Sequence, residues 1–274
     1  MRQKVGIVGY GYVGRAMYNF FKKHYDVFVH DVQDVKDVPI VERDEINSCD
    51  LSLVCVPTPM GSNGRCDTSL VDEVVSWLKT PITIIKSTVE VGTTATLSKL
   101  HNKNLVFSPE YCGESSYWSP YLWDRDVKET PFFIFGGSPE CTSRCVDFYL
   151  PVAGPVKKYI QTSSCAAEMA KYMENSFYAT KIAFCYEMAE ICQAAGIDYN
   201  TVRELWLNDP RINPMHTAVF EKNDSAFGGK CLPKDLSALH NFAKSQLNYE
   251  PKLLGEVLES NNRIGKIRKT RRDK

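Results

Sequence analysis

Up to about residue 150 the apolar positions fall into short runs rich in β-branched residues: Lys4–Val8, Val27–His30, Leu51–Val56, Ile82–Ile85, Leu105–Phe107 and Phe132–Phe135. Between them, apolar residues recur at helical spacing over Val13–Lys23, Leu70–Leu78, Thr93–Leu100 and Pro139–Tyr149. Strand-sized and helix-sized patterns that alternate through short glycine-bearing connections predict a parallel sheet with helices on both faces. The pattern then changes. From Ser163 to Ala195 the chain has no proline or glycine, which predicts one long helix ended by Gly196. Further helical patterns follow at Tyr199–Leu207, Pro233–Ser245 and Pro251–Ile264. The expected organisation is an α/β domain over residues 1–162, then a long connecting helix and an all-helical domain over 163–264. A basic tail over 265–274 is expected to be a solvated, frayed end.

Composition narrows the class. Of 274 residues, 43% are hydrophobic and 24% charged, with 33 basic residues against 33 acidic ones and no net charge. Disordered chains combine low hydrophobicity with high net charge, and dedicated nucleic-acid binders need a basic surplus, so neither is expected. No apolar run approaches the ~18 residues that cross a bilayer. Glycines at 6, 9, 11 and 14 break up the first apolar stretch, so it does not read as a signal peptide. A cytoplasmic protein with no membrane partner is expected. The 10 cysteines include no pair at zinc or thioredoxin spacing, and the 5 histidines make no metal pattern. Reduced thiols and no metal are therefore expected, with all but one cysteine structural.

The first chemical motif is Gly9-Tyr10-Gly11-Tyr12-Val13-Gly14, directly after the strand VGIV and opening a helix. In that setting the glycines permit a tight turn, close backbone approach to a pyrophosphate, and helix–strand packing. The N–H groups at the start of the helix then face the phosphates. Asp31 ends the second strand, where an acid bonds the ribose hydroxyls. Val32 and Gln33 follow it, with no arginine to receive a 2′-phosphate, which favours NAD over NADP. These features define a Rossmann-type doubly wound sheet. Thr58, Thr88 and Glu110 lie in VPTP, KSTV and SPE, after the third, fourth and fifth strands. Those are carboxyl ends of parallel strands, the edge where open α/β sheets bind ligands, and Glu114 follows four residues on.

On the long helix, Lys171 and Asn175 are one turn apart on one face, where an ammonium and a carboxamide can donate to one oxyanion. The sharpest segment is AFGGKCLPKD, residues 226–235. Pro233 suits the first turn of a helix, which places Cys231 at its N-terminus. There the helix dipole and Lys230 or Lys234 are expected to lower the thiol pKa below its free value of ~8.5. Gly228 and Gly229 allow close backbone approach to a flat ligand. Asp235, one turn on, adds a base.

GYGYVG, VPTPMGSNGRCDTS, KSTVEVGTT, SPEY, AAEMAKYMENSFYATK, DPRI and FGGKCLPKD stand in this order between residue 3 and about 264. In this the chain resembles the UDP-glucose/GDP-mannose dehydrogenase family. The resemblance implies oxidation of a nucleotide-sugar C6 alcohol to the acid, by two hydride transfers to two NAD molecules. It implies Cys231 as the nucleophile, forming a thiohemiacetal and then a thioester, and Asp235 with water as the base. Lys171 and Asn175 match the oxyanion-stabilising groups. Glu110, Glu114 and Thr88 match the groups that position water and substrate. Lys234 adjoins the catalytic pair, Gly228 approaches the substrate, and Arg211 in DPRI matches an arginine that reaches a sugar site across a dimer interface. A homodimer through residues 163–264 follows from the same resemblance. Two departures accompany it. Tyr111-Cys112-Gly113-Glu114 and the aromatic SSYWSPYLW replace the usual residues after SPE, near the expected sugar. The family's second, nucleotide-holding domain is also expected to be missing, because the sequence stops shortly after Ile264. Two alternatives stand beside this reading: a two-electron β-hydroxyacid-type dehydrogenase, and a non-catalytic NAD-binding protein.

Overall fold

The computed structural model describes residues 2–111, 126–220 and 225–272. These divide into two compact units: residues 1–59 with 67–171, and residues 60–66 with 172–274.

The first unit is built on a seven-stranded sheet: β1 (Lys4–Val8), β2 (Asp26–His30), β3 (Leu51–Val54), β4 (Thr83–Ile85), β5 (Leu105–Phe107), β6 (Phe132–Gly136) and β7 (Lys158–Thr162). The spatial order is β2-β1-β3-β4-β5-β6-β7, with every pair parallel except β5–β6. Around it lie α1 (Tyr12–Phe21), α2 (Arg43–Asn47), α3 (Ser69–Trp77), α4 (Thr93–His101) and α5 (Pro139–Ala153). Side chains alternate across each strand, so the sheet buries two separate apolar layers. Val5, Ile7, Leu51, Leu53, Ile84, Val106 and Phe135 pack with Met17, Phe20 and Phe21 of α1 and Phe148 and Tyr149 of α5. Val8, Val54, Ile85, Leu105 and Phe107 face the other way, onto Ile46, Val71, Val75 and Leu97. This is the doubly wound Rossmann-type arrangement expected from the alternation of patterns. The chain crosses β1 between β2 and β3, so the strand order reverses between β1 and β3, the switch point at whose carboxyl ends open α/β sheets bind ligands.

Two elements escaped the pattern. α2 is a single short turn, and β7 (KYIQT) is an edge strand with only partial burial, so neither carries a strong apolar period.

The second unit is helical. α6 (Ser164–Ala194) begins in the first unit and continues here, followed by α7 (Tyr199–Trp206), α8 (Leu232–Leu247) and α9 (Lys252–Arg272). Its core joins Ala179, Ala183 and Tyr186 of α6, Phe227, Leu236 of α8, and Val257 and Ile264 of α9. α9 runs on through the basic segment that was expected to fray. Lysine and arginine are good helix formers and suit the negative end of a helix dipole, so the basic composition extends the helix. No helix among the described residues is long and apolar enough to cross a membrane.

Candidate active site

In the first unit, the turn after β1 is shaped by its glycines. Gly9 has φ +92°, and a Cβ there would lie 2.7 Å from the Cys55 carbonyl oxygen beyond β3. A Cβ on Gly14 would lie 2.0 Å from the Gly9 carbonyl oxygen. Both are therefore required by the chain's own packing. Gly11 differs: nothing lies within 4 Å of its would-be Cβ, which leaves open the approach that a pyrophosphate uses. Gly11 is also the N-cap of α1, a helix start with no side-chain cap and no acid in its first turn, which Tyr12 and Val13 begin. At the end of β2, Asp31 accepts the Tyr10 N–H at 2.6 Å and the Gln33 N–H at 2.9 Å, which fixes its carboxylate. These features fit a dinucleotide.

The loops after β3, β4 and β5 are bonded to one another. Thr58 Oγ1 donates to the Thr88 carbonyl at 2.8 Å, and Ser87 Oγ to the Val56 carbonyl at 2.7 Å. The buried Lys86 Nζ donates to Ser108 Oγ at 3.3 Å and the Pro109 carbonyl at 3.1 Å, holding the loop that bears Glu110. Lys171, also buried, lies 3.8 Å from Glu110 Oε1 and 4.9 Å from the centre of the Tyr111 ring. The start of α6 is tied down by Glu168, fully buried, whose carboxylate accepts the N–H groups of Gly92 (2.6 Å) and Thr94 (2.9 Å). It caps α4 from another helix, where Gly92 has no side chain to do so. Burial pushes the Glu168 carboxyl above its ordinary pKa, against the opposing effect of those bonds.

In the second unit, Cys231 is exposed and is the N-cap of α8, with Pro233 in the first turn as expected. The Asp235 N–H donates to the Cys231 carbonyl at 2.8 Å. The first turn of α8 contributes to a buried polar cluster. Asp235, 1% exposed, accepts from Asn175 Nδ2 at 2.6 Å through one oxygen and pairs with Lys234 Nζ at 2.7 Å through the other. Lys234 Nζ also lies 3.9 Å from Cys66 Sγ. Cys66 closes the loop Met60–Cys66, which is held on α8 by a bond from Ser237 Oγ to the Gly64 carbonyl at 2.9 Å. The segment before Cys231 is fixed by the buried Phe227, whose N–H donates to Asn261 Oδ1 of α9 at 2.9 Å. Of its two glycines, Gly229 takes the left-handed φ of +77°, which a side chain would strain, whereas Gly228 meets only Ser225 Oγ at 3.7 Å. Arg211 points to solvent, its side chain 87% exposed, and forks onto Asp209 at 2.6 and 2.9 Å, which holds the Asp209 carboxyl below its ordinary pKa.

The structure thus brings Thr58 to Thr88, Lys171 to Glu110 and Tyr111, and Asn175 to Asp235 and Lys234. Glu114 and the aromatic segment after it lie outside the described residues. Glu168, Lys86 and Cys66 were not singled out from the sequence. A lone acid or lysine in a helical or strand pattern gives no sign of a partner that is distant along the chain. Arg15 was not singled out either. Nε of Arg15 donates to the Tyr10 carbonyl at 3.3 Å, on the residue whose N–H Asp31 holds. The signal was present, since Arg15 directly follows the glycine motif.

The glycine-built turn of the first unit defines a dinucleotide-binding protein, and the second unit carries an exposed cysteine at a helix start. Comparison with known proteins gives the family. Residues 40–122 match the NAD binding domain, and residues 165–263 the central domain, of the UDP-glucose/GDP-mannose dehydrogenase family. The chain belongs to this family, and its cofactor is NAD. UDP-glucose 6-dehydrogenase TuaD of Bacillus subtilis is 30% identical over 232 residues, covering 80% of this chain and 47% of its own length. The chain therefore spans about half the length of the curated relatives it matches. The fold is shared with a UDP-glucose dehydrogenase from Pyrobaculum islandicum, with TM-score 0.82 and 23% identity over 96% of this chain and 68% of that one. It is also shared with 3-hydroxyisobutyrate dehydrogenase of Mycobacterium tuberculosis, with TM-score 0.68 and 17% identity over 94% and 92%.

Proposed function

We propose that the chain is the NAD-binding and catalytic part of a nucleotide-sugar 6-dehydrogenase, acting on UDP-glucose or a close relative and yielding the uronic acid. The observation that carries this reading is Cys231: an exposed cysteine at the N-cap position of α8, with the buried Asn175–Asp235–Lys234 cluster fixing the first turn of that helix. A single oxidation of an alcohol has no use for a nucleophile. A double oxidation does, because a thiol adduct keeps the intermediate carbonyl bound until the second step.

The dinucleotide is held by Gly9, Gly11, Tyr12, Val13 and Gly14 at its pyrophosphate, by Asp31 at its ribose, and by Thr58 and Thr88 beyond the next strands. NAD held there would supply the hydride acceptor, one NAD molecule for each of the two oxidations. In the first, C6 loses a hydride and the C6 hydroxyl a proton, leaving an aldehyde. The Cys231 thiolate adds to that carbonyl carbon, and the oxygen becomes the hydroxyl of a thiohemiacetal, with Lys171 and Asn175 donating to the developing oxyanion. Loss of the second hydride and the hydroxyl proton leaves a thioester. Water, giving its proton to Asp235, attacks the acyl carbon, and the C–S bond breaks to release the acid and the thiolate. Glu110 and Glu114 position water, while Tyr111, Gly228 and Lys234 contact substrate and Arg211 reaches the sugar site of the partner across the dimer interface.

The same reading includes a homodimer in the cytoplasm. Met173, Phe177, Phe184 and Ile191 are all more than half exposed and recur at heptad-like spacing along α6, the pattern of a helix face that meets another copy.

The likeness to 3-hydroxyisobutyrate dehydrogenase over nearly all of both chains favours a second reading, a two-electron dehydrogenase of small hydroxy acids. NADH formation measured over UDP-glucose, GDP-mannose, N-acetylated UDP-sugars and 3-hydroxyisobutyrate separates them. Turnover of a nucleotide sugar supports the first reading, and turnover of the hydroxy acid alone supports the second. Intact NAD binding with no turnover on any of them would contradict both.

A further inference from the structure

Arg15 and Asp37 form a pair that the reaction does not use. Arg15 sits in the first turns of α1, directly after the glycine motif. Its guanidinium lies 4.9 Å from the centre of the Tyr10 ring, and its Nε donates to the Tyr10 carbonyl at 3.3 Å. Tyr10 is also the residue whose N–H is held at 2.6 Å by Asp31, the acid at the end of β2. One residue therefore anchors both the carboxylate that meets the ribose hydroxyls and a guanidinium. An arginine beside the ribose acid is what a 2′-phosphate requires, because the planar fork donates two hydrogen bonds to phosphate oxygens. In this chain the fork is already engaged: a terminal Arg15 nitrogen donates to Asp37 Oδ2 at 2.8 Å.

We infer that Asp37 is a specificity-determining residue that holds Arg15 away from the 2′ position and so keeps the site selective for NAD over NADP. Two carboxylates divide the work. Asp31 bonds the free hydroxyls of NAD and repels a 2′-phosphate. Asp37 neutralises the cation that would otherwise attract one. Neither Arg15 nor Asp37 is buried, with side chains 47% and 53% exposed, so either can be changed without disturbing the apolar layers beneath.

The test needs only binding. NADH and NADPH are titrated against the full chain by nicotinamide fluorescence, with 2′,5′-ADP and ADP as competing fragments and thermal melting as the folding control. In Asp37→Asn, affinity for NADPH and 2′,5′-ADP is expected to rise about tenfold, with affinity for NADH and ADP within about twofold of the original. Adding Arg15→Ala to that variant is expected to remove the gain. Three results would overturn the inference: unchanged NADPH affinity in a folded Asp37→Asn chain, a gain that survives the loss of Arg15, or loss of NADH binding in Asp37→Asn. The last would make Asp37 part of the NAD site rather than its guard. Should Asp37→Asn melt early, Asp37→Ser carries the same expectations.

Discussion

The two candidate functional regions of this chain are built from different materials. The dinucleotide turn is made of backbone: two glycines fill it because no side chain fits, and a third leaves room for a ligand. The thiol site is made of side chains: an exposed cysteine starts α8, and three polar groups are buried at 1–8% exposure in and against its first turn. A backbone site fails through steric strain and binding. A side-chain site fails through chemistry, or through the cost of leaving a buried charge alone.

The largest expected effect separates chemistry from binding. Cys231→Ala should lower acid formation by at least about a thousandfold while NADH affinity and melting temperature stay unchanged. Near-normal acid formation in that variant would remove the thiol from the mechanism. Next comes the cluster at the first turn of α8. Asp235→Ala strips Lys234 of its carboxylate and Asn175 of its acceptor, and should cost about 3–5 kcal/mol of stability, read from the denaturant midpoint. A shift well below that would mean the cluster is wetter than its burial indicates.

The glycines sharpen the contrast within one motif. In Gly14→Ala the new methyl would sit on the Gly9 carbonyl, so both melting temperature and NADH affinity should fall. Gly11→Ala should leave the melting temperature unchanged and weaken only NADH binding. Equal losses of stability in the two variants would contradict the division into packing glycines and a ligand glycine.

The smallest effect concerns Glu168. Its folded pKa is raised, so the folded chain holds that proton more tightly than the unfolded one. This contribution to stability is complete below the ordinary glutamate pKa and is lost as pH climbs through the raised value. A single proton bounds the slope at about 1.4 kcal/mol per pH unit. Glu168→Gln should flatten that part of the stability–pH curve, and an unchanged slope would assign it to another group.

The same contrast explains what could be read in advance. The sheet, the glycine turn, Asp31, and Cys231 with Pro233 are local: each is a spacing or a period within one short segment. The partners are not local. Glu168 meets Gly92 and Thr94, Lys86 meets the loop after β5, and Cys66 meets Lys234, each across a long stretch of chain. Arg15 was in plain view, but its meaning depended on Asp37, an acid in an irregular segment whose position only the folded chain reveals. Edge strand β7 was missed for a related reason, since partial burial erases the period that marks a strand.

In the proposed mechanism, one carbon is oxidised twice, and Cys231 holds it between the two steps. The most direct measurement is the amount of NADH formed per sugar consumed when a limiting quantity of UDP-glucose runs to completion, with the product identified by mass. Oxidation of one carbon twice on Cys231 yields two NADH per sugar and the uronic acid, with no free aldehyde. One NADH per sugar and an accumulating carbonyl compound would contradict it.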